Sequence, residues 1–512
     1  MSGKLPQYPQ SYWLDFVELP SFPAVTEDVE ADIVIVGGGI TGITLAYLFV
    51  QENLKPVILE ADRILHGTTG HTTAKITAQH GLIYDELIRN FDKDTARKYY
   101  EANEAALTLI KNIIKKRNIA CDFSEEDAYI YTLEDESVPK LEKEWQAYQQ
   151  LGIAGDLLKQ TELPFQVKQA LVMYNQAQFH PTKFLRALVE EIVEKGGRIF
   201  ENSVATKVKG KEKPAVLLKN GKTVTGHFVI SCSQFPFHDE GYYFSRMYQE
   251  RSYVLACITE KDFPGGMYIN AENPTRSIRS TPYRNGKLIL FGGDHHKTGQ
   301  GPPTIQHYEN LYEFGNHTFG IQEVVYRWSA QDLSTLDKVP YIGYVTNTNR
   351  SVLVATGFRK WGMTTSMLAA MLLVDMVLNR ENPYEEVFTP SRFEFDSSVK
   401  KFLQTNLDVA KHLIQGKIEK PQTTIEQLSF DEGAVVQLNG KRAGAYKDAQ
   451  GKIYIVDTTC THMGCELEWN SGDKSWDCPC HGSRFSVTGE VLTGPAEKPL
   501  KQLTINHQKG KP

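Results

Sequence analysis

The sequence predicts three structural units: an α/β domain, an antiparallel sheet interleaved with it, and a small all-β domain at the C-terminal end. Three observations predict them. A strand pattern, a glycine-rich turn and a helix pattern open the first domain, alternating apolar and polar stretches fill the middle, and short alternating stretches return after residue 430. These patterns have the periods of a βαβ unit and of antiparallel strands.

The glycine-rich turn indicates a dinucleotide site. A buried-strand pattern at 32–36 leads into Gly37, Gly39 and Gly42, and a second strand ends at Glu60. In this pattern the first glycine makes the tight turn, the second admits the pyrophosphate, the third packs the helix, and the acidic residue binds the ribose. A βαβ unit without a nucleotide is the alternative. The helix start adds two cofactor-binding candidates, Ile40 and Thr41.

The antiparallel sheet and the all-β domain are predicted from alternation. Regular change between apolar and polar residues is typical of strands with one buried face. For the interleaved sheet, the stretches are 253–258, 267–270 and 288–292. For the C-terminal domain, they are 434–438, 453–456 and 500–505. Before both groups of stretches, residues 82–163 have a charged, helical pattern.

Composition excludes several classes of protein. The 512 residues carry 56 basic and 62 acidic side chains without long blocks of one sign, which argues against nucleic-acid binding. The most apolar helical stretch, 367–378, contains Asp375 and is too short for a membrane span. The N-terminus lacks the apolar core of a secretory signal, so we expect a cytoplasmic protein.

Two dense boxes of cysteine and histidine lie near the C-terminal end. Each box offers one thiol and one imidazole in close sequence, which is what a Rieske-type [2Fe–2S] cluster requires. Zinc is the alternative, but neither box has the two-residue cysteine spacing of a zinc knuckle. The boxes consist of Cys460, His462 and Cys465, and of Cys478, Cys480, His481 and Ser483.

This spacing resembles the Rieske proteins of cytochrome bc complexes. The resemblance implies that Cys460 and Cys478 bind one iron and that His462 and His481 bind the other. It also implies a disulfide between the two remaining cysteines, Cys465 and Cys480, although disulfides are rare in the cytosol.

Two further positions bear on the potential of the cluster. The resemblance implies that Ser483 donates a hydrogen bond to the cluster, which stabilises the reduced form. Phe485 stands where high-potential relatives have a tyrosine. We therefore expect a potential inside the Rieske range of about −150 to +300 mV, below its upper end.

The segment 67–75 resembles the D-amino-acid oxidase/glycine oxidase superfamily, whose members have a Rossmann-like FAD-binding domain. There, this segment lies along the FAD. His71 falls at the position where sarcosine and dimethylglycine dehydrogenases bind flavin covalently; a hydrogen bond to FAD is the alternative. The resemblance implies four cofactor residues here: Thr68, Thr69, His71 and Thr72.

Two later segments complete the implied FAD site. Val204 matches the position that lines the adenine, and 351–364 has the shape of the closing FAD motif, with a helix N-terminus aimed at the flavin ring. The implied ring-binding residues are Gly357, Gly362, Met363 and Thr364.

The departure at Asp332 bears on the substrate. Residues 326–343 resemble the superfamily element in which an arginine binds the substrate carboxylate, but this chain has Asp332 there. If Asp332 faces the pocket, the substrate is an amine or a polyamine-like cation; if it faces solvent, amino-acid binding is lost or relocated. The substrate-pocket candidates are Asp332, Tyr253 and Lys360.

Together the resemblances imply an FAD-dependent oxidoreductase fused to a Rieske domain. We expect it to oxidise a small amine or amino-acid-like substrate and to pass electrons from flavin through the cluster to an external acceptor. The alternative is a reductase or electron-transfer flavoprotein in which the cluster feeds the flavin or a partner protein. A Rieske oxygenase is disfavoured because His507 is the only histidine after His481.

The predicted organisation follows from these segments. The helical part of the linker is predicted from an amphipathic pattern at 399–418. The boundaries are 1–30 for an N-terminal arm, 31–395 for the FAD-dependent oxidoreductase with interleaved FAD-binding and substrate subdomains, 396–427 for a helical linker and 428–512 for the Rieske domain.

Overall fold

A computed structural model describes residues 4–238, 240–346, 348–392, 421 and 423–504 of the chain. The predicted linker helix at 399–418 lies outside the described residues, as does the last residue of the predicted strand at 500–505.

A six-stranded sheet forms the α/β domain. Its central strands are continuous apolar runs, as in Ile33–Val36, because both faces of the sheet are covered. Helices pack on one face and a smaller sheet packs on the other. Tyr341–Thr346 and Asn349–Thr356 pair antiparallel, and all other neighbouring strands of this sheet pair parallel. The order across the sheet is Tyr341–Thr346, Asn349–Thr356, Phe228–Ser231, Ile33–Val36, Pro56–Leu59 and Arg198–Phe200.

Helix Ile40–Gln51 occupies the centre of the helical layer. It packs against Gly362–Val377 and Pro181–Glu194, and the long helix Lys93–Arg117 packs on Gly362–Val377. The remaining helices are Tyr12–Asp15, Tyr84–Asn90, Val138–Leu151, Tyr243–Arg246, Ile305–Phe319 and Glu385–Phe388. Short 3-10 helices span Thr68–His71, Asp135–Ser137 and Ile425–Gln427.

A nine-stranded sheet is interleaved with the first. All but one of its pairings are antiparallel, as the alternation predicts; Met267–Asn270 pairs parallel with Ser124–Thr132. Its order is Ile321–Thr335, Met247–Thr259, Gly286–Lys297, Arg276–Tyr283, Met267–Asn270, Ser124–Thr132, Gln169–Gln178 and Lys75–Ile76, with Gly155–Leu158 beside Gln169–Gln178. A four-stranded sheet comprises Val29–Glu30, Thr223–Thr225, Ala215–Leu218 and Ala205–Lys209.

The helical prediction for 82–163 is wrong in two places. Ser124–Thr132 and Gly155–Leu158 are strands, because both pair antiparallel with Gln169–Gln178. The first residues of Ser124–Thr132 are charged, which obscures the strand pattern in the sequence, and its later residues are mostly buried. Pairing with a distant strand therefore overrides the local pattern.

The C-terminal domain consists of two small antiparallel sheets. The predicted strands at 434–438 and 453–456 fall within the first sheet, whereas within 500–504 the structure has only an isolated bridge between Gln502 and Val456. The first sheet comprises Glu432–Leu438, Lys441–Lys447 and Ile453–Val456. The second comprises Glu468–Asn470, Ser475–Asp477, Arg484–Phe485 and Val491–Thr493.

No helix in the described ranges has both the length and the apolar character that crossing a membrane requires.

Candidate flavin cavity and iron–sulfur centre

A cavity of about 760 Å³ extends from the six-stranded sheet to the nine-stranded sheet. Its volume lies in the range of small-molecule sites, about 300–1,000 Å³. The cavity begins at the carboxyl ends of the parallel strands, where ligands of α/β sheets bind. The predicted residues that line it are Gly37, Gly39, Ile40, Thr41, Glu60, Thr68, Thr69, His71, Thr72, Val204, Tyr253, Asp332, Gly357, Lys360, Gly362 and Met363.

The glycine-rich turn has no room for side chains at its first and last glycines. A Cβ atom on Gly37 would lie 2.7 Å from the backbone of Cys232, and one on Gly42 would lie 1.9 Å from the carbonyl oxygen of Gly37. Gly42 therefore packs the helix against the turn and does not line the cavity. The helix N-terminus after Gly39 presents backbone N–H groups, which suit a pyrophosphate.

The Glu60 carboxylate lies at the end of the second strand, beside the turn. It accepts hydrogen bonds from the backbone N–H of Gly38 at 2.7 Å and of Asp62 at 3.0 Å. Burial raises the pKa of Glu60, although these N–H groups oppose the shift. These contacts hold the side chain at the cavity, where a ribose hydroxyl of a dinucleotide would lie.

The 3-10 helix Thr68–His71 is tied to both sheets. The hydroxyl of Thr69 accepts from the backbone N–H of Ile40 at 2.9 Å, and that of Thr68 donates to the carbonyl of Gln331 at 3.3 Å. The N-terminal arm supports this segment from outside, because the indole N–H of Trp13 donates to the carbonyl of Thr72 at 2.7 Å.

Burial favours the neutral form of the His71 imidazole. Its Nδ1 lies 2.9 Å from the carbonyl oxygen of Gly67, and burial lowers the pKa of the ring. Both a hydrogen bond and a covalent bond to flavin are open to a neutral imidazole at the cavity wall. Acid precipitation separates them, because covalently bound flavin stays with the protein.

The closing segment brings a second helix N-terminus to the cavity. Gly357 has φ +78°, and a Cβ there would lie 2.5 Å from Cγ2 of Thr335. Gly362 and Met363 begin helix Gly362–Val377. Thr364 does not line the cavity. Its hydroxyl accepts a hydrogen bond from the backbone N–H of Thr77 at 2.8 Å and donates one to the carbonyl of Thr77 at 3.0 Å.

Asp332 lines the cavity, as the first of the two sequence hypotheses requires. It pairs across the sheet with Glu250, and the backbone N–H of Lys360 donates to it. Burial raises the pKa of Asp332 to about 6, although the charge of Lys360 opposes the shift. The Lys360 ammonium lies 3.1 Å from the Glu250 carboxylate.

Tyr253 is placed differently from the other substrate candidates. It is fully buried, its hydroxyl is hydrogen-bonded to Nε2 of His296 at 2.8 Å, and its ring stacks on that of His307. The hydroxyl of Tyr253 therefore has its hydrogen-bond partner within the protein rather than in the cavity.

Sequence reasoning missed four charged residues of the cavity, which are Lys75, Glu250, Lys338 and Arg359. Lys75 donates from Nζ to the carbonyl of Tyr268 at 3.1 Å, and burial lowers its pKa to about 7. Lys75 ends the segment that carries the flavin resemblance, so its position was a usable signal. Glu250 had none, because only its pairing with Asp332 reveals it.

The cysteine and histidine boxes meet in the C-terminal domain. The Cys460 and Cys478 thiols are hydrogen-bonded to each other, and the rings of His462 and His481 have centroids 5.0 Å apart. Nδ1 of His481 is buried without a partner among the described residues, as expected of a metal ligand. This donor set of two thiols and two imidazoles fits a Rieske cluster.

Cys465 and Cys480 form a disulfide. The sulfur of Cys478 lies within 4.8 Å of both of their sulfurs, so the bridge joins the two ligand loops beside the proposed cluster. The three sulfurs are not a three-thiolate metal site, since two of them are bonded to each other.

Ser483 lies against the cluster ligands. Its hydroxyl is hydrogen-bonded to the Cys460 thiol and accepts from the backbone N–H of Ala496 at 3.0 Å. Phe485 is fully buried in the core of the domain.

Comparison with known families agrees with this geometry. The FAD dependent oxidoreductase (DAO) family matches residues 32–376, and the Rieske [2Fe-2S] domain family matches residues 421–504. These matches confirm the predicted cofactors, FAD and a [2Fe–2S] cluster.

Two relatives match most of the chain. "Putative Rieske 2Fe-2S iron-sulfur protein YhfW" of Bacillus subtilis (strain 168) is 51% identical over 97% of this chain and 98% of its own length. Gamma-glutamylputrescine oxidoreductase of Escherichia coli (strain K12) is 21% identical over 70% of this chain and 85% of its own length.

Solved structures share the fold of the first part. Glycine oxidase from Geobacillus kaustophilus superposes with a TM-score of 0.60 at 16% identity, covering 72% of this chain and all of that one. The chain belongs to the FAD dependent oxidoreductase family and carries a Rieske [2Fe-2S] domain at its C-terminal end.

Proposed function

We propose that the protein oxidises a cationic amine at the carbon next to its nitrogen and passes the electrons through its Rieske domain to an external acceptor. In such a reaction the CH–NH unit loses two electrons and two protons to become an imine, which water hydrolyses. Bound FAD supplies the two-electron acceptor, and the bound cluster supplies a one-electron carrier.

The observation that carries the substrate class is the position of Asp332. Asp332 lines the cavity, and the sequence resemblance places it at the position of the arginine that binds a substrate carboxylate in the superfamily. A negative side chain there repels a carboxylate and attracts an ammonium group. The E. coli relative, whose name specifies gamma-glutamylputrescine, supports an amine.

The cationic side chains near Asp332 have other partners. Lys360 is paired with Glu250, which leaves Asp332 without a side-chain cation of its own at hydrogen-bond distance among the described residues. Arg359 also lines the cavity, but its guanidinium donates a hydrogen bond to the carbonyl of His80 at 2.9 Å. The residue lies in the proposed flavin-binding turn, after Gly357. We assign it to the ring of the flavin, where negative charge develops upon reduction.

Anaerobic mixing with substrate panels tests the proposal. One panel contains monoamines and polyamines, and the other contains the matching α-amino acids. We expect loss of flavin absorbance with amines, followed by the EPR signal of the reduced cluster. Reduction by amino acids alone would contradict the substrate class, and reduction only by NADH would favour a reductase.

A second measurement addresses the electron outlet. In air, an amine dehydrogenase that uses an external acceptor turns over slowly with oxygen and rapidly with an added one-electron acceptor. Equal rates with and without that acceptor, together with stoichiometric hydrogen peroxide, would contradict the proposed outlet.

A further inference from the structure

We propose that the Rieske domain is held in one fixed position against the outer face of two strands whose inner face lines the flavin cavity, and that Gln331 carries electrons across this wall. The wall strands are Met247–Thr259 and Ile321–Thr335. The direction of electron flow rests on the proposed function, whereas the docking does not.

Alternation along the wall strands separates the two redox sites. In the first strand, Glu250 and Ser252 line the cavity, while Gln249 and Arg251 contact the C-terminal domain. In the second strand, Asp332 lines the cavity and Gln331 does not. Successive side chains of a strand point to opposite faces, so the wall is a single sheet thick.

The second ligand loop of the cluster rests directly on the wall. Nε2 of Gln331 donates to the carbonyl of Gly482 at 2.9 Å, next to His481. Nε2 of Gln300 donates to the carbonyl of Pro479 at 3.3 Å, next to Cys478. A Cβ on Gly299 would lie only 2.7 Å from the backbone nitrogen of Pro479. The ligand loop therefore contacts the wall at Gln331 and packs closely against the loop that follows strand Gly286–Lys297, at Gly299 and Gln300.

A buried network of charges fixes the position of the domain. Nη1 of Arg251 lies 2.7 Å from the Asp473 carboxylate, and Nε lies 3.8 Å from that of Asp477. Arg484, from the C-terminal domain, lies within 3.6 Å of both carboxylates. Burial alone would raise the pKa of Asp473, but Arg251 and Arg484 lower it below its usual value. Two cations and two anions thus balance in the interface.

The histidine side of the cluster faces the flavin domain as well. The ring of Phe244, in helix Tyr243–Arg246, contacts His481 and His462 with centroid distances of 5.7 and 6.1 Å. The two imidazoles that would hold one iron therefore lie on the side of the flavin domain.

Gln331 links the two sites through both its backbone and its side chain. Its carbonyl oxygen accepts hydrogen bonds from Thr68 and Gln234, which line the cavity. Its side-chain amide donates to Gly482 of the ligand loop. One residue therefore joins the flavin segment to the cluster loop through hydrogen bonds and covalent bonds, and electron transfer is faster through such a path than across a gap.

Two glycine variants test the fixed docking. Gly299→Ala places a methyl group against Pro479, whereas Gly301→Ala, in the same loop, has φ +92° and meets only His296 at 3.9 Å. Both carry the strain of a positive φ, so they differ mainly in the clash with the Rieske domain. The flavin is reduced by a light-driven external reductant, so no amine is needed, and the reoxidation of flavin by the cluster is followed.

We expect transfer to slow by about tenfold or more in Gly299→Ala and to stay at the native rate in Gly301→Ala. In the native protein the rate should not depend on solvent viscosity. A viscosity-dependent rate, or equal native rates in both variants, would overturn the fixed position.

Hydrogen exchange gives a readout that does not depend on electron transfer. In the native protein, backbone amides of 472–483 should exchange slowly, and Gly299→Ala should raise their exchange while Gly301→Ala does not. Should Gly299→Ala not fold, Gln331→Leu removes the bridging amide at similar volume and should also slow transfer. Native transfer in Gln331→Leu would overturn the role of this residue.

Discussion

In the proposed function, the carboxylate of Asp332 selects the charge of the substrate at the sheet end of the cavity. The side chain lines the cavity beside the ion pair of Glu250 and Lys360, and burial raises its pKa to about 6. The group is therefore ionised at neutral pH and largely protonated below about pH 5. An ammonium group in contact with it would replace the water lost on burial.

The affinity for an amine should consequently depend on pH around the pKa of Asp332. Because the anion exists above about 6, KM for the amine should fall as the pH rises through this value. In Asp332→Asn, KM should rise about 10- to 100-fold, the worth of one hydrogen bond to a charged group, and the pH dependence near 6 should vanish. Asp332→Glu keeps the charge and should retain most of the affinity. An unchanged pH profile in Asp332→Asn would place the substrate elsewhere.

We propose that Ser483 tunes the potential of the cluster. Its hydroxyl is hydrogen-bonded to Cys460, and a donor to a ligand sulfur favours the more negative, reduced cluster. Ser483→Ala should lower the potential by about 40 mV, the equivalent of one hydrogen bond of about 1 kcal/mol. An EPR-monitored redox titration measures the shift. Ser486→Ala, whose hydroxyl is bonded to Thr488, is the control, and an equal shift in both variants would contradict the role of Ser483.

Among the elements, the helix Ile40–Gln51 depends on its glycine turn. A methyl group on Gly42 would lie 1.9 Å from the carbonyl oxygen of Gly37, so the turn must open. Gly42→Ala should yield protein with little or no FAD, measured as the ratio of flavin to protein after purification. Gly286→Ala, whose Cβ has no neighbour closer than 4.0 Å, should keep its flavin. A full flavin content in Gly42→Ala would show that the turn can accommodate a methyl group, which would contradict this prediction.

How far an element could be predicted depended on whether its partners are near in sequence. The turn from Gly37 to Gly42 and the box from Cys478 to Ser483 are local, and the predicted fold class and cofactors are confirmed. The orientation of Asp332 stayed open because it depends on strand register, and a shift by one residue turns a side chain to the other face. Glu250 and the wall contact of Gln331 were missed for the same reason.

At the scale of the whole molecule, the N-terminal arm and the C-terminal domain meet at Arg327 of the nine-stranded sheet. The guanidinium of Arg327 donates to the carbonyls of Pro6 and Gln7 in the arm and of Gly472 in the C-terminal domain. The same arm supports the flavin segment through Trp13. A pattern of polar and proline residues gave no indication of this role, because the contacts are made by backbone carbonyls that any sequence provides.

The molecule as proposed stores electrons from one substrate at two sites. FAD takes up two electrons and a [2Fe–2S] cluster takes up one. One chain therefore takes up three electrons, whereas each amine molecule delivers two. A whole number of amine molecules cannot fully reduce a single chain.

An anaerobic titration of the holoprotein with its amine tests this account most directly. Flavin absorbance and cluster EPR are followed in the same sample. We predict that full reduction requires about 1.5 equivalents of amine per chain, with the cluster signal growing alongside the loss of flavin absorbance. An end point at one equivalent with the cluster still oxidised would contradict the central claim that amine, flavin and cluster form one electron path.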